Sequence, residues 1–318
     1  MLFLNKHTIL KIDHTIIQNA VEDAYKLILN SNYNMPDRMH VPDNNNTLLL
    51  MPCFSRDFFA TKLVTVFPEA QRHGQPAVNG ILVLCDNISG KPLAVMDGAA
   101  LTAQRTGAVG GVAVKCLTDQ SIKTAGIFGA GVQGLSQARY LLFNRKIKTL
   151  YICDLKKESA KKMSSILKTE FDDVEYIISE NPNQMVEKSQ VIIAATTSRK
   201  PLFKADQNLI KSKTFISIGS FQPDMQEFPE TIITSADDIL VDTMFAVKES
   251  GDIAIPIKNS VITKDKIKEF AKILEEDIDP KNKTILFKSV GMALFDLSVA
   301  SAVYKLALEN NIGQKLDF

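Results

Sequence analysis

No CxxC pair occurs in this 318-residue chain: its four cysteines, Cys53, Cys85, Cys116 and Cys153, are far apart. They read as reduced core thiols of a cytosolic protein, and a cytoplasmic location is expected. The four histidines, His7, His14, His40 and His73, show no ligand spacing, so no metal site is expected. Charge of one sign is also missing. The formal net charge is +1, and the densest basic run, residues 154–162, carries acids as well. No field draws the chain to nucleic acid or to an anionic membrane. No stretch approaches the ~18 uninterrupted apolar residues of a membrane span. The first apolar stretches are broken by Asn5, Lys6, His7, Lys11 and Asp13, so no cleavable signal pattern is expected.

What is present is an ordinary globular composition, 45% apolar and 23% charged, long enough for two domains. From Lys123 onward, short apolar runs alternate with helical periods: TAGIFGA, GLSQARYLLFNRK, TLYICD, KESAKKMSSILKTEF, VEYIIS, then VIIAATT, TFISIGS and DILVDT. This alternation predicts βαβ units and a parallel sheet covered on both faces. The first 120 residues read instead as mixed α+β. They hold a helix over 20–32, strands at TLLLMPCF, FFATKLVTVFP and AVNGILVLCD, a hairpin turn at NISGKPL and a small-residue helix over 101–117. A long apolar-striped helix is expected from Ser289 to Asn311, returning to the N-terminal part. The expected fold is therefore α/β, with a parallel-sheet domain (119–287) inserted in a discontinuous α+β domain (1–118 and 288–318).

The stretch KTAGIFGAGVQG places GxGxxG between a strand and a helix. Gly129 ends the strand, Gly131 lets backbone approach a pyrophosphate, and Gly134 allows close helix–strand packing. The helix that follows would turn its first amides toward the phosphates. Asp154 ends the next strand twenty residues past Gly134, where a carboxylate meets an adenosine ribose. A carboxylate repels a 2′-phosphate and favours NAD(H). Lys156 and Lys157 follow at once and leave NADP(H) open.

Three basic residues upstream sit in apolar or small-residue settings: Lys62 in FFATKLVTVFP, Arg105 in LTAQRTGAVGG and Arg38 in MPDRMHVP. Each alone is accounted for by snorkelling or ion pairing. Beside a dinucleotide fold they suggest a site for a small carboxylate, with arginine as planar fork and lysine as proton carrier.

Together, MPDRMHVP, KLVTVFP, GKPLAVMDGAALTAQRTGA, GIFGAGVQG, IGSFQPDMQE and SVGMALFDL make nearly the whole chain resemble the ornithine cyclodeaminase/mu-crystallin family. The resemblance implies a homodimer, with residues 119–287 as a Rossmann dinucleotide-binding domain inserted in a discontinuous α+β substrate-binding and dimerisation domain. It also implies that Arg38 and Arg105 bind the substrate carboxylate, Arg105 and Thr106 also lying by the cofactor. Lys62 would touch the substrate as proton donor or polarising cation. Val132 and Gln133 would meet the pyrophosphate and Asp154 the ribose. Thr196 and the strand end Ser217, Gly219 and Ser220 would line the cofactor, with Ser289 and Val290 closing the site from the last helix.

The chain departs from true cyclodeaminases, which resemble GGDCPGKTE where it has GSFQPDMQE. Their acid/base aspartate falls on Phe221, with Asp224 nearby, and a frequent threonine of the family falls on Ala77. The stretches QPDMQE and KESGD resemble the branch that reduces cyclic ketimines and pyrroline-2-carboxylate. The expected activity is an NAD(P)H-dependent reductase of a small cyclic imino acid, Δ1-pyrroline-2-carboxylate giving proline. The alternatives are ornithine cyclodeaminase, an alanine-type dehydrogenase, and a binding protein without turnover.

Overall fold

The computed structural model describes residues 1–274 and 278–317. The chain forms two compact units, Met1–Ala108 with Met292–Phe318, and Val109–Gly291.

In the first unit, β1 (Leu2–Leu4), α1 (Lys6–Leu10) and α2 (His14–Leu29) precede β2 (Met39–Asp43), β3 (Asn46–Phe54), β4 (Phe58–Val66), β5 (Val78–Asp86) and β6 (Pro92–Asp97), after which α3 (Gly98–Leu117) begins. The sheet runs β1-β6-β5-β4-β3-β2, with the two-residue strand Gln314–Lys315 outside β1. The β1–β6 pair is parallel and the other pairs are antiparallel. Helix α2 starts six residues before the sequence-based expectation, because Asp13 caps it by accepting from Thr15 N at 2.7 Å. Its buried Ile17, Ala20, Val21, Ala24 and Tyr25 follow helical spacing. The C-terminal helix, Ala293–Glu309, packs on α2 and across β3, β4 and β5, with Tyr25 and Phe295 edge to face at 5.1 Å. That leaves the other face of the sheet to the alternate residues of each strand.

The second unit takes β7 (Thr124–Phe128), α4 (Val132–Asn144), β8 (Thr149–Cys153), α5 (Lys157–Glu170), β9 (Glu175–Ile178), α6 (Pro182–Lys188), β10 (Val191–Ala194), β11 (Thr214–Ser217), β12 (Asp238–Val241), β13 (Ile267–Glu269) and β14 (Ile285–Lys288). All pairs are parallel, in the order β9-β8-β7-β10-β11-β14-β12-β13. Strands β10, β11, β12 and β14 are buried along their whole length, as strands covered on both faces must be. The fold is α/β, with a Rossmann-type parallel sheet in one unit and a separate, largely antiparallel sheet in the other.

The boundaries differ from the sequence-based 118/119 and 287/288. The first falls inside α3, because the second unit grips the end of that helix. Arg145 donates to the carbonyls of Val114, Lys115 and Thr118 at 3.0, 2.7 and 2.9 Å, and Thr214 Oγ1 to that of Leu117 at 2.8 Å. The second falls after Gly291, because residues 285–288 form β14 in the middle of the sheet. The expected helix from Ser289 accordingly begins only at Ala293.

Candidate active site

Strand β4 points Lys62 into the covered face of the first unit, where it is 2% exposed. A lone buried ammonium would be costly. Asp296, in the first turn of the C-terminal helix, compensates it: its Oδ2 accepts from Lys62 Nζ at 2.7 Å. The other oxygen, Oδ1, accepts from Arg105 Nε on α3 at 3.0 Å. Lys62 also donates to Thr102 Oγ1 at 3.3 Å. Burial lowers the Lys62 ammonium to about 8, with Asp296 pulling it up and the guanidiniums of Arg105 and Arg38 pushing it down. Burial alone would raise the Asp296 carboxyl, but Arg105 and Lys62 hold it below its ordinary value. Thus Lys62 and Arg105 meet at Asp296, and the charge of Arg38 also acts on Lys62. Thr106 follows Arg105 on α3 and is buried.

In the second unit the glycine turn leaves β7 and enters α4. Gly129 has φ +92°, and a Cβ there would lie 2.5 Å from Ala195 O. A Cβ on Gly134 would lie 1.8 Å from Gly129 O, just past the end of β7, and 3.8 Å from Ile127 on that strand, so a glycine lets α4 pack this closely on the strand end. Gly131 is different: nothing lies within 4 Å of a Cβ there. No side chain caps the start of α4. Val132 is exposed, and Gln133 Oε1 is buried without a partner among the described residues. Open space over Gly131 and an uncapped helix start, whose first amides are free to donate, fit a dinucleotide pyrophosphate. Asp154 accepts from Ala130 N and Lys156 N, each at 2.7 Å, which fixes its carboxylate beside the turn. Lys157 is paired with Glu180.

Thr196, Ser217, Gly219 and Ser220 come together at the ends of β10 and β11 around residues the sequence reading had not assigned. Glu227 accepts from Thr196 and from the amides of Gly219 and Ser220. Ser217 Oγ is fully buried against Asp252, Glu227 and Lys288, and Ser220 Oγ is engaged with Met225 O and Ser250. These hydroxyls face the protein interior, so these residues are left to meet a ligand through their backbone. Ser289 and Val290 lie in the turn after β14 rather than on the last helix. Asp242 holds that turn, accepting from Ser289 Oγ at 2.6 Å, Val290 N at 3.1 Å and Gly291 N at 2.8 Å. Burial raises the carboxyls of Glu227 and Asp242 and lowers the Lys288 ammonium.

Against known proteins, the profile of the ornithine cyclodeaminase/mu-crystallin family matches residues 5–311. The chain belongs to this family. Its relatives in the family include a Δ1-pyrroline-2-carboxylate reductase of Bacillus cereus, 34% identical over 292 residues and 89% of each chain. The structure of the Thermococcus litoralis Δ1-pyrroline-2-carboxylate reductase with NADH and L-proline superposes with a TM-score of 0.92 at 33% identity, covering 99% of this chain and 100% of that one. An archaeal alanine dehydrogenase dimer with bound NAD gives a TM-score of 0.92 at 28% identity, covering 100% of this chain and 99% of the other.

Asp296, Glu227, Asp242, Asp252 and Lys288 escaped the sequence reading as site residues. Three of them end or sit inside the stretches that carry the family resemblance: Glu227 in QPDMQE, Asp252 in KESGD and Asp296 in SVGMALFDL. A charged residue embedded in such an apolar stretch was the available signal for Asp296. No helix among the described residues is long and apolar enough to cross a membrane.

Proposed function

We propose that the protein is an NADH-dependent reductase that converts Δ1-pyrroline-2-carboxylate to proline. The observation that carries this reading is the buried Lys62, poised at about 8 between Asp296 and two guanidiniums. Arg38 and Arg105 would hold the imino acid's carboxylate in a fork that orients its C=N carbon. Lys62 would keep the imine nitrogen protonated, and a group titrating near neutrality exchanges that proton readily. The bound nicotinamide supplies the hydride. Gly131, Val132, Gln133 and the start of α4 would receive its pyrophosphate, and Asp154 its adenosine ribose. The pairing of Lys157 with Glu180 neutralises a cation that would otherwise attract a 2′-phosphate, which supports NADH over NADPH.

Deamination of ornithine is disfavoured at two positions. Phe221 stands where the resemblance puts the cyclodeaminase acid and has no proton to exchange. Asp224, the nearest acid in that stretch, is exposed and ion-paired with Arg199 at 3.3 Å. We place the enzyme in the cytoplasm as a homodimer. Its four thiols are free, as a reducing compartment keeps them. The open face of the first unit's sheet carries the paired row Leu50, Leu63 and Ile81, with Leu48 and Val83 alongside, and Ile81 is 45% exposed. A second copy of the chain would cover it.

The test is cofactor oxidation with Δ1-pyrroline-2-carboxylate, run beside ornithine with NAD⁺ and beside pyruvate with ammonia and NADH. Oxidation with the cyclic imine and silence in the other two assays is the expected result. Ammonia released from ornithine, or alanine formed from pyruvate, overturns it.

A further inference from the structure

The backbones after β7, β10 and β11 crowd together at the C-terminal edge of the parallel sheet. The chain order reverses between β8-β7 and β10, and open α/β sheets bind nucleotides at such a point. A Cβ on Gly219 would lie 2.0 Å from Thr196 O, just as one on Gly129 would crowd Ala195 O. One carboxyl ties two of these segments. Glu227 is fully buried; its Oε1 accepts from Thr196 N at 2.6 Å and Thr196 Oγ1 at 2.9 Å, and its Oε2 from Gly219 N at 2.8 Å and Ser220 N at 3.1 Å. Asp252 Oδ1 in turn accepts from Glu227 N at 2.8 Å and Phe228 N at 3.0 Å, which fixes the backbone that carries the clamp.

With the ribose at Asp154 on the β8 side and the pyrophosphate over Gly131, the other half of a dinucleotide extends over β10 and β11. We propose that Glu227 is a positioning residue for that half: it sets the Thr196 and Gly219–Ser220 backbones against which the nicotinamide rests, without touching it. The inference rests on the nucleotide reading of the site given above. It requires a carboxyl at this position. Both oxygens face N–H or O–H donors, and an amide would turn its NH₂ group toward one set of them, leaving donor against donor.

The experiment is NADH titration by fluorescence on the full-length protein, with Glu227→Gln and Thr196→Val as variants and with KM for the imino acid measured alongside. Glu227→Gln should weaken NADH about tenfold or more, since hydrogen bonds to a charged group are disrupted. Thr196→Val, which keeps the amide bond to Glu227 and loses the hydroxyl that donates to Glu227 and accepts from Ser198 N, should weaken it by about threefold. The imino-acid KM should change less than NADH affinity in both. A merely structural role would reduce the yield of folded protein and leave the affinity of the folded fraction unchanged. Wild-type affinity in Glu227→Gln overturns the clamp; if that variant does not fold, wild-type affinity in Thr196→Val does so. Failure of the wild-type protein to bind NADH would instead overturn the nucleotide reading on which the clamp depends.

Discussion

The Asp296 carboxylate bridges Lys62 and Arg105, one oxygen to each, at 2.7 and 3.0 Å. Residues 234 and 191 positions apart in sequence thus share one buried charge. The bridge holds Lys62 in place and keeps its ammonium from losing its proton outright in a buried setting.

Replacing Lys62 with alanine should lower kcat/KM for the imino acid by about 10²–10⁴, the usual contribution of a positioned acid. NADH affinity, read by fluorescence, should stay near wild type. Loss of NADH binding would show that Lys62 belongs to the cofactor site.

The pH profile follows from the direction of the Lys62 shift. The protonated fraction is complete well below about 8 and falls as pH rises through it, so kcat/KM should decline on the alkaline side of about 8. Asp296→Asn removes the influence that raises the Lys62 ammonium, so the decline should move to lower pH. The variant should also be less stable by about 3–5 kcal/mol, because two buried cations lose their carboxylate. An unmoved alkaline limb in a folded Asp296→Asn protein would separate the limb from Lys62.

Asp154→Ala should relax the preference for NADH over NADPH, since it removes the charge that repels a 2′-phosphate. Comparing kcat/KM for the two cofactors checks this. Unchanged selectivity would remove Asp154 from the ribose site.

A charge on the open sheet face should break the dimer. Ile81→Glu, on a row with Leu50 and Leu63, should sediment as a monomer where the wild type sediments as a dimer. A variant that stays dimeric would place the interface elsewhere.

The Rossmann half was legible because its determinants are local. The glycine turn, the strand before it, the helix after it and Asp154 lie within a short stretch, and their spacing carries the geometry. The basic residues Arg38, Lys62 and Arg105 were legible as oddities of local context. Strand β14 was not, because residues 285–288 reach their place between β11 and β12 only through pairing with distant strands. The start of the last helix was misplaced for the same reason: Ser289 to Gly291 form a turn held by Asp242, an interaction with no trace in local periodicity. What the sequence determined by itself was most of the strand–helix alternation, the glycine turn and the cations, all written in residue type and short spacing. What only the tertiary structure decided was which carboxylates meet those cations and clamps. Asp296 and Glu227 find their partners through burial, where an unpaired charge is too costly to persist and the fold must supply its counterpart.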